Sequence, residues 1–518
     1  MALAIKKPAI PSQWTGPLAV ACFLTGTKLL VHFLTNGQYG YFRDELYFMA
    51  CGEHLSWGYV DHAPLAPSLA KLSRLLLGDS LFALRLLPAV AGAVKVGLTG
   101  LLARELGGSR FAVALGCLCV LVAPGYLALD TLFSMNAFEP VFWTGCAYAI
   151  ILALRLGNRR YWILFGVLAG LGLENKHSLL FFGVGLLAGL LLSPARGCFA
   201  NRWFWLGGVI ALALFTPNLV WEYRHDWATL EALRNVQATG KNVVLSPVEF
   251  LGQQAFVLLP FTLPVWVAGL WFYGFDVYGR RYRFLAIAYL VTLGLMIVLK
   301  GKEYYLLPIY PMLFAGGAVW WEKRFKGWPF AAWLKTACLM VLGLSGLVFA
   351  PFALPVLPVK VYLRYQHALG ITPPKTEVGH VGPLPQHFGD MFGWPEMVAE
   401  VARVYDALPP AERVKAAIFA GNYGEAGAID FFGPRYGLPK AISGHQTYFL
   451  WGPRDYTGEV MILLQANRRE LESRFQSVEE AGTVGHPYAM GEEHYPILVG
   501  RGLKRPLREV WPRLKHWN

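Results

Sequence analysis

Between Tyr41 and Pro67 the chain reads YFRDELYFMACGEHLSWGYVDHAPLAP, with Arg43, Asp44, Glu45, Glu53, His54, Asp61 and His62 set among aromatics. The stretch follows the first long apolar run of the sequence. Carboxylates at a membrane face are costly unless paired or held in a wet cavity, so Asp44 and Glu45 read as functional groups suited to proton chemistry. The structural alternative is that Asp44 pairs with Arg43 or caps a helix starting near Glu45, a gain of only about 1 kcal/mol. Asp61-His62-Ala63-Pro64 is made of ordinary turn residues. His62 is open to three uses there: binding a phosphate, donating a proton or capping the turn. A divalent metal held by Asp44, Glu53, His54, Asp61 and His62 is chemically open, but the spacing matches no ligand motif, and no cofactor is called for.

A second group of residues is cationic. In LKGKEYYLLPIYP, Leu299–Pro311, Lys300 and Lys302 sit between two apolar runs. They read either as lysines snorkelling from a helix end or as an anion site for a membrane-embedded phosphate. Lys176 in LENKHS is a cation at the end of a short apolar run, and Arg224 with His225 follows Trp221. Asn136 and Glu139 in SMNAFEP fall at the end of another run. Together these residues would ring one membrane face with cations for a phosphate and carboxylates for a proton.

The elements that must position them are helices in a bilayer. Of 518 residues 55% are hydrophobic and only 15% charged, where soluble domains carry about 25% charged. Apolar runs lie near 17–35, 81–103, 111–129, 137–154, 160–173, 178–193, 203–221, 247–272, 284–299, 304–321 and 332–350, which predicts about eleven spans. The run at 160–173 and the run at 178–193 are short, and read as two short spans or two half-helices. The net charge of +13 does not point to nucleic acid, because its residues sit in short loops. Lys6 and Lys7, Arg104 and Arg110, Arg155, Arg159 and Arg160, Arg196 and Arg202, Arg280, Arg281 and Arg283, and Lys323, Arg324 and Lys326 all fall on one side if the N-terminus is inside. That places the Tyr41–Pro67 stretch, and everything after Pro351, outside. The first apolar run lacks a small-residue cleavage site and reads as a retained anchor. Ser68–Gly78 puts Leu69, Leu72, Leu75 and Leu76 on one helical face, as an interfacial helix would. The seven cysteines lie mostly in apolar runs and suggest no disulfide framework.

The composition shifts near Pro351. Residues 351–374 form a Pro-rich connector between a membrane part, 1–350, and a predicted outer α/β domain, 375–518. Glu396–Leu408 reads as an amphipathic helix, and KAAIFAG, KAISG, EVMILLQ and YPILVGR as short strands. AGNYGEAGAIDFFG is not a phosphate loop, since no Gly-Lys-Ser/Thr follows. It reads as a turn and a packed helix.

Four motifs in order, RDE after the first span, DHAPL in the same loop, LENKHSLL mid-chain and KEYYLLPIYP near 310, resemble the GT-C class of lipid-linked-sugar glycosyltransferases. Within it the chain is similar to the bacterial branch of the protein O-mannosyltransferase and aminoarabinose transferase superfamily, glycosyltransferase family 39, over roughly residues 15–350. Its acidic-His-Pro-Pro form is interrupted here by Ala63. The resemblance implies a polytopic helical membrane protein of GT-C type with an extracytoplasmic α/β domain, in the inner (cytoplasmic) membrane with its N-terminus cytoplasmic. It implies a polyprenyl-phosphate-linked sugar as donor, an envelope acceptor (protein, lipid A or another glycan), a lipid bilayer and no nucleic acid. Asp44 is then the expected base of an inverting transfer, with Glu45 and Asp61 supporting it. Arg43, His62, Lys176, Arg224, Lys300 and Lys302 are the candidates for the donor phosphate. Glu53, His54, Asn136, Glu139, Tyr304 and Tyr305 are candidates for acceptor binding or support. The rival readings are a transporter or flippase of lipid-linked sugars, and a scaffold that presents the outer domain.

Overall fold

The computed structural model describes residues 12–371, 377–379 and 381–518. Lys6, Lys7 and residues 372–374 of the connector lie outside the described residues. The first elements are α1 (Ser12–Thr35), α2 (Arg43–Glu53), α3 (Leu65–Leu77), α4 (Leu81–Glu105), α5 (Arg110–Val122), α6 (Pro124–Thr131) and α7 (Met135–Leu156). Among the described residues six helices are long and apolar enough to cross a membrane, and nine crossings result if three bent helix pairs each count once. The apolar run at 247–272 is one such pair, Pro247–Val257 and Pro260–Gly274, bent by 94°. Proline at the break removes a backbone donor, and Leu259 takes a φ of 73° there. Helices Arg160–Asn175 and Tyr310–Phe325 are 16 residues each, short of the roughly 17–25 a crossing takes. The expected count of about eleven therefore remains an expectation.

A buried charge cluster pins the first spans together. Asp130 on α6 accepts from Lys28 of α1 at 2.8 Å and from Lys95 of α4 at 2.8 and 3.0 Å, with all three side chains fully buried. Charges at that depth persist only when paired. Around α3, Leu72, Leu75 and Leu76 are exposed while Ala66, Ala70 and Ser73 are buried, but Leu69, expected on the exposed face, packs against the core that holds α2.

The C-terminal residues fold into a four-stranded sheet of order β1-β2-β4-β3, with β1 (Ala416–Phe419) parallel to β2 (Val460–Leu463) and both β2 and β3 (Phe475–Val484) antiparallel to β4 (Tyr495–Leu503). Side chains alternate between the two faces. Ala416, Ile418, Val460, Ile462, Ile497 and Val499 face one core, Ala417, Met461, Leu463 and Leu498 the other. KAISG is not a strand; Ile442 only bridges Phe419. The first core also contains Leu46, Tyr47, Phe48 and Met49 of α2, so the C-terminal sheet domain and the loop after α1 share one hydrophobic interior. Glycines in the helix Tyr423–Phe432 let it approach α2 closely. A Cβ on Gly427 would lie 2.9 Å from the Leu46 carbonyl group, and one on Gly424 would lie 2.3 Å from Cγ of Arg43.

Candidate active site

α2 begins where Phe42 is extended and Oε2 of Glu45 accepts the Phe42 N–H at 2.8 Å. Successive helical residues point about 100° apart, and Asp44 and Glu45 meet different surroundings. Glu45 is fully buried. Its Oε1 accepts from Nε of Arg85 at 2.8 Å and from the Phe133 N–H at 2.8 Å, and its Oε2 accepts from Nη2 of Arg85 at 2.9 Å. With both oxygens engaged and the guanidinium equally buried, Glu45 ties α2 to α4 and stands apart from the cavity lining.

Asp44 lines a cavity of about 330 Å³. Its Oδ1 accepts the hydroxyl of Tyr423, from the helix Tyr423–Phe432 of the C-terminal domain, at 2.8 Å. Burial and the neighbouring Asp44 charge push the Tyr423 phenol up, so it stays a donor. The cavity lining also holds Arg43, Asn136, Lys302, Tyr304 and Glu377, while its other walls are largely apolar, with Leu129, Leu132, Phe256, Val257, Leu307 and Phe349. Nζ of Lys302 donates to Glu377 at 2.9 Å. Arg43 reaches Glu492 at 2.9 Å and Asp390 at 3.5 Å, which fastens the start of α2 to the C-terminal domain.

Asp61 is near but outside the lining. Its Oδ1 accepts the Tyr47 hydroxyl at 2.8 Å, and the Tyr47 ring stacks on Tyr423 with centroids 4.6 Å apart. Burial raises the Asp61 carboxyl above its ordinary range, opposed by His62 and Tyr47, with the Asp44 charge adding to the rise. His62 is enclosed by Tyr59, Phe48 and Tyr47 at 4.7, 4.8 and 5.4 Å, and burial lowers its pKa. Lys176 stands one layer behind the cavity. It donates to Asn136 at 2.7 Å and Glu139 at 3.0 Å and lies over the Tyr305 ring.

The other sequence candidates are not gathered here. Lys300 and Arg224 are exposed and outside the lining. Glu53 pairs with Arg74 at 3.2 Å and Lys440 at 2.8 Å, and His54 packs on Trp451. Tyr423, Arg85 and Glu377 are the residues that sequence reasoning passed over. Arg85 alone carried a signal: a lone guanidinium inside a span demands a buried carboxylate. Among the described residues no three His, Cys, Asp or Glu side chains group as metal ligands.

Residues 61–221 match the family model described as dolichyl-phosphate-mannose-protein mannosyltransferase. No curated protein matches the chain. Among solved structures, ArnT from Cupriavidus metallidurans bound to undecaprenyl phosphate is similar, with a TM-score of 0.62 and 13% identity, over 92% of this chain and 97% of that one. The same protein in its apo state gives 0.60 at 14% identity and the same coverage. The oligosaccharyltransferase AglB from Archaeoglobus fulgidus, in complex with an inhibitory peptide and a dolichol-phosphate, gives 0.50 at 11% identity over 87% of this chain and 69% of that one. The chain therefore has the GT-C glycosyltransferase fold, and it is a multi-pass membrane protein with a small C-terminal sheet domain.

Proposed function

We propose that the protein is a membrane glycosyltransferase that moves a sugar from a polyprenyl-phosphate donor to a hydroxyl of an envelope acceptor, with Asp44 as the base. The observation that carries this reading is the cavity itself: Asp44 and Lys302 line, with Arg43, Asn136, Glu303, Glu377, Gln386 and His387, a pocket whose other walls are largely apolar. A lipid chain suits such walls, a phosphate suits the lysine, and a hydroxyl suits the carboxylate. The structural likeness to a protein solved with undecaprenyl phosphate supports the same donor class. In the reaction Asp44 takes the proton of the acceptor O–H, and the freed oxygen attacks the anomeric carbon. The bond from that carbon to the phosphate oxygen breaks, and the polyprenyl phosphate leaves with the electron pair. A single displacement needs one base and no enzyme nucleophile, by analogy with glycoside hydrolysis, and it inverts the anomeric centre. Cations at the leaving phosphate stabilise the charge that develops there. The acceptor in this reading is a protein, lipid A or another glycan on the outer face of the inner membrane; the bias of basic residues toward the loops on one side supports an outer C-terminal domain.

Lys302 separates this reading from a merely snorkelling lysine. Charge-assisted hydrogen bonds to phosphate contribute about 1.5–3 kcal/mol. Lys302→Met should therefore weaken binding of a polyprenyl-phosphate sugar by about tenfold to a hundredfold. Lys300→Met, which alters an exposed residue outside the cavity, should leave that affinity unchanged. Titration of the donor lipid into both variants checks this, and an unaltered affinity in Lys302→Met removes the residue from the phosphate site.

A further inference from the structure

Two tyrosines stack where α2 meets the C-terminal domain, and each holds a carboxylate. Tyr47 of α2 donates its hydroxyl to Oδ1 of Asp61 at 2.8 Å, and Tyr423 donates its hydroxyl to Oδ1 of Asp44 at 2.8 Å. The second bond joins residues 379 apart in the chain. It brings a side chain of the C-terminal domain into the lining of the Asp44 cavity.

The ring of Tyr423 is fixed from several directions. Tyr423 is the first residue of the helix Tyr423–Phe432, and the side chain of Asn422 caps that helix by accepting the Glu425 N–H at 3.0 Å. Glu425 reaches back to accept the Gly421 N–H at 2.7 Å. Such a reciprocal cap sets where a helix begins. Gly424 and Gly427 let the helix settle on α2, since a Cβ at either would meet Arg43 or the Leu46 backbone. The ring stacks on Tyr47, with centroids 4.6 Å apart, and on His445, at 5.0 Å. The Tyr423 N–H donates to Nδ1 of His445 at 3.2 Å. A ring stacked on two neighbours and tied at its backbone keeps its hydroxyl in one place.

An ionised carboxylate offers two acceptor oxygens. In Asp44 the phenol occupies Oδ1, and among the described residues no second hydrogen bond reaches that carboxylate. Oδ2 is therefore left for an acceptor hydroxyl. Burial and the Asp44 charge push the Tyr423 phenol up, so the proton stays on the tyrosine and the bond keeps its direction. Placement matters to a base: an error of about 1 Å can cost about a hundredfold in rate.

We propose that Tyr423 is a positioning residue: its hydroxyl holds Oδ1 of Asp44 so that Oδ2 faces the acceptor, and the C-terminal domain thereby completes the catalytic site of the membrane part. The role rests on the reading of Asp44 as the base.

The full chain in lipid nanodiscs tests it, with polyprenyl-phosphate sugars extracted from radiolabelled cells as donor, an envelope extract as acceptor and undecaprenyl phosphate as the binding probe. Tyr423→Phe removes one oxygen and keeps the ring stack. Its single-turnover rate should fall about tenfold to a hundredfold, while its affinity for undecaprenyl phosphate stays that of wild type. In the Asp44→Asn background the same substitution should scarcely change the rate, because a residue that acts through Asp44 has no base left to position. A packing role would cost the same in both backgrounds. A Tyr423→Phe protein with wild-type turnover, an equal loss in both backgrounds, or a loss of fold or of lipid affinity overturns the positioning role. Any of these with Asp44→Asn still slow leaves the base standing. Fast turnover by Asp44→Asn, or no transfer by wild type, overturns the reading beneath it instead, and the positioning role with it.

Discussion

Asp44→Asn is expected to fold, to bind the donor lipid almost as wild type does, and to turn over about 10²–10⁴ times more slowly, the usual consequence of losing a general base. The substitution is nearly isosteric. The amide oxygen still accepts the Tyr423 hydroxyl that Oδ1 accepts now, so the joint between α2 and the C-terminal domain survives. What disappears is the capacity to take a proton. The base acts on the acceptor, so the donor affinity should scarcely move. Asp61→Asn should show a smaller defect, because Asp61 stands outside the cavity lining and meets Tyr423 through Tyr47. Single-turnover measurements with saturating donor, alongside a donor titration, separate the two effects. A folded Asp44→Asn protein with near-normal turnover would pass the role to Asp61.

The neighbouring carboxylate should behave in the opposite way. Glu45→Ala strips Arg85 of its bidentate partner while the guanidinium remains fully buried, and leaves the Phe133 N–H without its acceptor. Breaking a buried pair from one side costs about 3–5 kcal/mol. The expected result is a large fall in unfolding free energy and poor recovery of folded protein. Glu45→Ala combined with Arg85→Met should regain part of the loss, since the stranded charge is then gone. Equilibrium unfolding in mixed micelles reads both. A Glu45→Ala protein of normal stability that has lost turnover would return Glu45 to the catalytic group.

These two adjacent residues show how far the sequence reaches. A carboxylate pair beside a span announces a functional loop, and Asp44 does line a cavity. What separates Asp44 from Glu45 is the partner of each, and neither partner is near in sequence: Arg85 lies 40 residues away and Tyr423 lies 379 away. Lys300 and Lys302 likewise read as equals. A left-handed backbone at Lys300, φ 54°, precedes the turn that delivers Lys302 to the cavity. Apolar composition found the membrane segments but not their bends, because the run at 247–272 is equally greasy whether straight or folded back by 94°. In the C-terminal domain, YPILVGR and EVMILLQ announced β4 and β2 through their unbroken apolar residues. β3 escaped because FQSVEEAGTV is an exposed edge strand carrying Glu479 and Glu480, and charge on an edge is how sheets avoid unwanted pairing.

The central claim is that the sugar leaves its lipid in the Asp44 cavity, and the competing account is that the intact lipid-linked sugar is moved across the bilayer. Protein reconstituted in vesicles with a radiolabelled polyprenyl-phosphate sugar and an envelope extract as acceptor decides between them. Release of polyprenyl phosphate with label on a non-lipid or second-lipid product, abolished in Asp44→Asn, is the predicted result. Label that stays on the polyprenyl phosphate while reaching the opposite leaflet, with equal efficiency in wild type and Asp44→Asn, would contradict it.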